Sequence, residues 1–338
     1  MTAADPGRRQ VLLAAKLGAL VRAWWGDGTD RRPGALPGGA TLWDATSRTA
    51  WVLADSPAAR ALGPALAWGL KVGADRLHVL VDDAGDAGTL ARRAAAFARP
   101  PEVWLVAGRD VAPAAPAPPP TEPVLPTDVL AFAGDLRAAG ADVVVEHGVL
   151  EGEVLGLEVA RVVPDPHTGE PRLEVGVGRH DREGRSMLPG AWSVPALAEV
   201  VEMVRGHRRA GAEPHPFNRL VTERWLRAVV VAEPALAGAA RLAPVPSPVA
   251  RDDLRQVAPA PAAGTDPDDQ PVVVVCSTGV DVDLVPAAAD ARLADGRAGC
   301  RLRLVLPEPD ALPVTRRLAA ALAHPAEVVT VPAAWRRP

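Results

Sequence analysis

The chain has 338 residues, with 37 lysines and arginines against 41 aspartates and glutamates and a formal net charge of −4. That length suits about two domains of ~150 residues with a sizeable core, and the missing basic excess is unlike a chain built to grip nucleic acid nonspecifically. The only two cysteines, Cys276 and Cys300, make no disulfide framework and fit no zinc-ligand spacing.

The first residues lack the pattern of a secretory signal, and no run of ~20 apolar residues is present to span a bilayer. The expectation is a cytoplasmic protein with no membrane partner. Lys16 and Lys71 are the only lysines and tyrosine is absent, so any mechanism needing a catalytic lysine has two candidates. The weight of alanine, arginine, proline and valine points to a GC-rich bacterial coding sequence.

Residues 8–25 carry a helical apolar period through Val11, Leu12, Ala15, Leu17, Leu20, Val21 and Trp24. A Gly/Pro-rich loop over 26–39 follows, then strands at 41–44 and 49–54. Asp55-Ser56-Pro57 reads as a helix start, with the helix running to about Leu70. A strand at 77–81, a helix at 88–98 and a strand at 102–106 complete a parallel βαβαβ segment. Residues 111–126 hold seven prolines and read as an extended linker.

The centre reads as α+β. A helix at 127–139 is followed by strands at 142–146, 149–163 and 172–179 and helices at 194–208 and 217–231. The turn formers of Pro164-Asp165-Pro166-His167-Thr168-Gly169-Glu170 close an antiparallel hairpin. A second Pro/Ala-rich stretch, 243–271, reads as another linker. Strands at 272–276, 301–306 and 327–331 then alternate with helices at 283–294 and 310–323.

The two ends share their spacing. Leu77 to Val103 and Leu302 to Val328 are both 26 residues, Arg92-Arg93 and Arg316-Arg317 lie between them, and Glu102-Val103 and Glu327-Val328 open the last strands. The fold class is therefore α/β, with two similar parallel βαβαβ segments flanking a central α+β segment with an antiparallel hairpin. The boundaries are 1–110 for the N-terminal domain, 111–126 linker, 127–242 central domain, 243–271 linker and 272–338 C-terminal segment.

The central hairpin carries the densest polar cluster. Strand alternation puts Glu158 on one face of its strand, and Glu174, Gly176, Gly178 and His180 on one face of the partner. A turn centred near His167 sets Glu158 opposite Gly176 and Glu174 opposite Ala160, so both glutamates share a face. Two such carboxylates suit Mg²⁺ or Mn²⁺, which could activate water against a phosphodiester. His180 is a further catalytic candidate.

This succession of strands and acids resembles the restriction-endonuclease-like superfamily, which uses one acid on a strand and an (Asp/Glu)-x-Lys element on the next. The resemblance implies Glu158 as the first acid and Glu174 as the second. The lysine position falls on Gly176, a departure from the family pattern. Leu173-Glu174-Val175-Gly176-Val177-Gly178 is in turn similar to the glycine-rich loop of S-adenosylmethionine-dependent methyltransferases, with the third glycine missing.

No P-loop and no dinucleotide-binding glycine motif occurs. Cys276-Ser277-Thr278-Gly279 follows a strand and precedes a helix, where backbone N–H groups bind anions. Asp55, Asp82-Asp83 and Asp110 sit at strand ends of the first segment, as helix caps or as a cation-binding rim. Arg208, Arg209, Arg219, Arg224 and Arg227, with Trp225 for stacking, form the best local basic patch, suited to phosphates of nucleic acid or to an acidic partner. No motif is complete. The leading expectation is a noncatalytic binding or scaffold protein, with a metal-dependent nuclease or phosphodiesterase centred on Glu158 and Glu174 second and a methyltransferase third.

Overall fold

The computed structural model describes residues 6–28, 30–185, 190, 192–209, 211–251 and 253–332. The chain forms two compact units that do not follow the linear boundaries expected above. One contains the residues up to 119 with 282–290 and 313–326, the other 120–281, 291–312 and the residues from 327 on. The C-terminal segment is thus shared between the units.

In chain order the first elements are α1 (Pro6–Trp25), β1 (Arg31–Leu36), β2 (Gly39–Asp44), β3 (Thr49–Ala54), α2 (Leu62–Val72), β4 (Arg76–Val81), α3 (Ala84–Ala94), β5 (Glu102–Ala107) and β6 (Asp110–Pro113). They build a sheet of order β1-β2-β3-β4-β5-β6. β3, β4 and β5 are parallel, and β1, β2 and β6 are antiparallel additions. β1 lies inside the segment expected to be loop. It is an exposed edge strand carrying Pro33, where a missing N–H is tolerated, so it lacks the apolar alternation that reveals a buried strand.

Beneath α1, Trp25, Trp51 and Trp104 surround His78 with ring centroids 5.2 to 6.0 Å from it. The Trp104 indole N–H donates to His78 Nδ1 at 3.1 Å, and burial holds the His78 pKa below its usual 6.5. The folded state therefore favours neutral His78. Its contribution to stability is complete above pH 6.5 and is lost as pH falls below that value. A thermal melt series from pH 8 to pH 5 should show this loss in the native chain and not in His78→Leu.

Of the strand-end acids of this unit, Asp55 pairs with Arg9 and Asp82 with Lys16, each at 2.6 Å. Asp83 caps α3 by accepting from the Asp86 N–H. The unit also holds a buried ion cluster, in which Arg92 grips both oxygens of Asp290 at 2.7 and 2.9 Å and Arg93 reaches Asp290 at 2.8 Å.

The centre follows with α4 (Thr127–Ala131), α5 (Ala133–Ala138), β7 (Asp142–Glu146), β8 (Val149–Val154), β9 (Leu157–Pro164), β10 (Pro171–Val175), α6 (Gly178–Arg185), α7 (Val194–His207) and α8 (Thr222–Ala232). Its sheet has the order β10-β9-β8-β7 and is antiparallel throughout. The expected long strand 149–163 is two strands joined by the tight turn Leu155-Gly156. His147-Gly148 makes a matching turn before it, with positive φ at all four residues. This is the two-residue hairpin geometry that glycine at the second position allows.

The chain closes with β11 (Arg241–Pro244), β12 (Ala260–Thr265), β13 (Pro271–Cys276), α9 (Leu284–Asp295), β14 (Arg301–Pro307), α10 (Pro313–Ala320) and β15 (Glu327–Val331). The sheet order is β11-β12-β13-β14-β15, with β13, β14 and β15 parallel. Two parallel βαβαβ segments are therefore present, as the spacing predicts. Each also carries two antiparallel strands ahead of its first parallel strand.

The expected linker 243–271 is corrected by β12, an inner strand of this sheet. Its sequence Ala-Pro-Ala-Ala-Gly-Thr has little strand propensity. Small side chains are what the site accepts: a Cβ on Gly264 would collide with the Arg241 carbonyl of β11. Pro261 follows the last β11 pairing, Pro244 with Ala262, and its carbonyl still accepts from the Val245 N–H at 3.2 Å.

The repeat leaves a local trace in the first unit. Phe97 forms an antiparallel bridge with Leu322, Ala98 N–H donates to the Ala321 carbonyl at 3.0 Å, and Ala323 N–H donates to the Ala96 carbonyl at 2.9 Å. The spacing that superimposes Leu77 on Leu302 also superimposes Phe97 on Leu322.

Candidate functional site

The central sheet has two chemically different faces. One buries Leu150, Val154, Leu157, Val159, Ala160, Val162, Leu173 and Val175 against α5 and α7. Strand alternation sends Glu146 of β7, Glu151 and Glu153 of β8, and Arg172 and Glu174 of β10 to the other face. β9 joins them through an irregularity. Glu151 pairs with Arg161, Gly152 with Ala160, and Glu153 with Glu158, so β9 has one residue more than β8 between the pairs. This bulge turns Val159 and Ala160 both into the core and leaves Glu158 and Arg161 together on the polar face.

The bulge matters for the sequence expectation. Glu174 pairs with Arg161 and Val175 with Ala160, one residue away from the expected register. A slip of one residue alone would put Glu174 and Glu158 on opposite faces. The bulge reverses the face again, and the two glutamates do share a side. Arg182 of α6 lies between them, 2.7 Å from Glu158 and 3.9 Å from Glu174.

His180 is placed differently from the expectation. The strand ends at Val175, because Gly176 and Gly178 take positive φ and the Asp181 carboxylate accepts from the Val177 N–H at 2.8 Å. Residues 178–185 are helix, and the His180 side chain is 99% exposed with Glu183 at 3.6 Å. The glycine-rich Leu173–Gly178 run is an antiparallel edge strand and turn, not the parallel strand and loop of a nucleotide-binding unit.

The expected basic patch is corrected as a surface. Arg208, Arg224, Trp225 and Arg227 are buried, and only Arg209 and Arg219 stand in solvent. Arg208 stacks on Trp225 with 4.9 Å to the ring centroid and donates to the carbonyls of Leu155, Phe217 and Leu220. α8 presents Leu226 and Val230 to the core of the C-terminal sheet and Arg224 and Arg227 to the acids of the central sheet. A helix packed on both sides cannot offer a solvated basic face.

Arg224 is the hub of the polar face. Its guanidinium reaches Glu146, Glu151 and Glu153 over 2.5 to 3.2 Å, and Arg227 reaches Glu153 at 2.9 Å. Arg161 holds both oxygens of Glu158 at 2.6 Å, and Arg172 holds Glu174 at 2.8 Å. The carboxylates respond unequally. Burial opposes ionisation of Glu153, but Arg227 and Arg224 hold its pKa below the usual range. Glu151 is pushed up to about 8 by burial and by Glu158, with Arg224 opposing. Glu151 therefore keeps its proton at neutral pH.

Because its folded pKa lies above its unfolded value, Glu151 contributes stability at low pH that is lost as pH rises from about 4.5 toward 8. Glu151→Gln should melt at a higher temperature than the native chain at pH 8.5, and the difference should shrink toward pH 5.

A cavity of about 970 Å³ opens on this face. Seven arginines and six carboxylates line it, together with His147, His180 and Trp192. Glu158 and Glu174 both reach it. Sequence reasoning missed Glu146, Glu151, Glu153, Arg161, Arg182 and Arg251. The available signal was the alternation Val144-x-Glu146 and Glu151-x-Glu153, which gives successive strands an acidic face.

Glu146, Glu151 and Glu153 bring carboxylate oxygens within 4.8 Å of one another, a hard-oxygen donor set of the kind Mg²⁺ or Mn²⁺ takes. Arg224 already stands against all three. Elsewhere, Cys276 is buried with its thiol pushed up to about 12 by that burial, which removes its nucleophilicity at neutral pH. After it, the Gly279 N–H is taken by Asp310 at 2.7 Å and the Thr278 hydroxyl pairs with Thr222, so these two donors of the turn are already partnered. No described helix is long and apolar enough to cross a membrane. Comparison with protein-family models, with curated proteins and with solved structures finds no match to this chain.

Proposed function

We propose that the protein is a noncatalytic binding protein whose ligand occupies the polar cavity over the central sheet. The observation that carries this reading is the commitment of the carboxylates. Glu158 is held by Arg161 and Arg182, Glu174 by Arg172, and Glu146, Glu151 and Glu153 by Arg224. Guanidinium groups stand where a nuclease would need a divalent ion. Buried ion pairs add little net stability relative to an apolar core, so a face lined by so many charged groups is better explained by recognition of a polar ligand.

The nuclease reading makes a contrary forecast. On the binding reading, Mg²⁺ and Mn²⁺ at millimolar concentration leave the melting temperature unchanged, and neither DNA nor RNA is cleaved. Saturable Mn²⁺ stabilisation that disappears in Glu174→Ala, with cleavage of nucleic acid, would replace binding by metal-dependent phosphodiester hydrolysis.

A further inference from the structure

We propose that the cavity over the central sheet binds an oxyanion, a carboxylate or phosphate group, with Arg251 as its anchor. This rests on the binding reading above and adds the ligand's chemistry. Arg251 lines the cavity, and its side chain is only 7% exposed. One of its nitrogens is spent on the Ala258 carbonyl and on Glu223 at 3.4 Å. Its Nε and Nη1 donors have no partner among the described residues. Unpaired buried donors on a charged group leave its desolvation uncompensated, and an oxyanion supplies the missing acceptors.

The surroundings favour the same sign of ligand. The arginines lining the cavity outnumber the carboxylates by one. Burial pushes the Arg251 pKa down to about 10; Glu223 opposes this, and Arg224 and Arg227 add to it. An incoming anion relieves that crowding. Arginine suits the role because its planar donors match carboxylate and phosphate oxygens.

The test is isothermal titration of the full chain at pH 7 and low salt with pyrophosphate, with citrate, and with spermidine as the cationic control. At least one of the two anions should bind at a single saturable site. Pyrophosphate alone identifies a phosphate ligand, and citrate alone a carboxylate. Arg251→Lys keeps the charge beside Glu223 but removes the two free donors, and should weaken binding at least tenfold. Arg241→Lys, in an exposed pair with Asp269, should leave it within twofold. Anion binding unchanged in Arg251→Lys overturns the anchor. Saturable spermidine binding lost in Glu174→Gln, without anion binding, overturns the oxyanion and keeps the binding function. No saturable binding of any of the three overturns both.

Discussion

Arg224→Met should lower the stability of the second unit by about 3–5 kcal/mol, the usual penalty for leaving a buried charge without its partner. The methionine fills most of the volume, so the loss is electrostatic. Glu146 and Glu153 would face each other with only Arg227 left beside Glu153, and Glu151 would lose its nearest cation. Denaturant unfolding followed by far-UV circular dichroism measures the change. Arg241→Met is the control, because both members of its pair with Asp269 are more than three-quarters exposed and such pairs contribute about 0–1 kcal/mol. Adding Glu153→Gln to Arg224→Met should recover part of the loss. Equal effects of Arg224→Met and Arg241→Met would mean that water reaches the polar face and that the network is not buried.

The second large effect is expected at the β8–β9 turn. Gly156 has φ +76°, and a Cβ there would lie inside the van der Waals shell of the Arg224 backbone carbonyl. Gly156→Ala therefore meets two penalties, about 1–2 kcal/mol for the left-handed conformation and about 1–3 kcal/mol for overpacking. Gly169 has φ +75° with nothing near its missing Cβ, so Gly169→Ala should show the first penalty alone. The difference between the two variants reports how tightly the turn sits on α8. Because the contact is with Arg224 itself, Gly156→Ala should also disturb the ion network, visible as a weaker pH dependence between pH 5 and pH 8.5. Matching losses in the two glycine variants would show that the turn does not press on the helix.

Much of the architecture was legible because it rests on local rules. The helices α1 and α3 and the strands β3, β4, β5, β13, β14 and β15 follow from apolar periodicity, and their alternation dictates parallel crossovers. The elements that escaped were those whose stability comes from neighbours. β1 is an exposed edge with proline, and β12 is alanine and glycine squeezed between two strands. The Leu155-Gly156 turn has a leucine where Asn or Asp is usual, and it hides inside an apolar run.

The candidate site divides in the same way. Alternation along β8, β9 and β10 was enough to place acids on a common face, and it put Glu158 and Glu174 together through a bulge and a register that sequence periodicity does not encode. The fate of the arginines was not readable. Arg224 and Arg227 lie on a helix whose charge pattern is that of a solvated face, and only the packing of α8 between two sheets turns that face inward. Arg251 comes from a stretch without regular structure, so no periodicity marks it.

By itself, then, the amino-acid order determined which segments become strands and helices, and that the crossover unit occurs twice, since hydrophobic spacing and chain connectivity are local properties. The tertiary structure alone decided that Glu146, Glu151 and Glu153 would be buried against Arg224 from a distant segment, because burial and pairing of charge depend on what packs opposite, information that no single element carries.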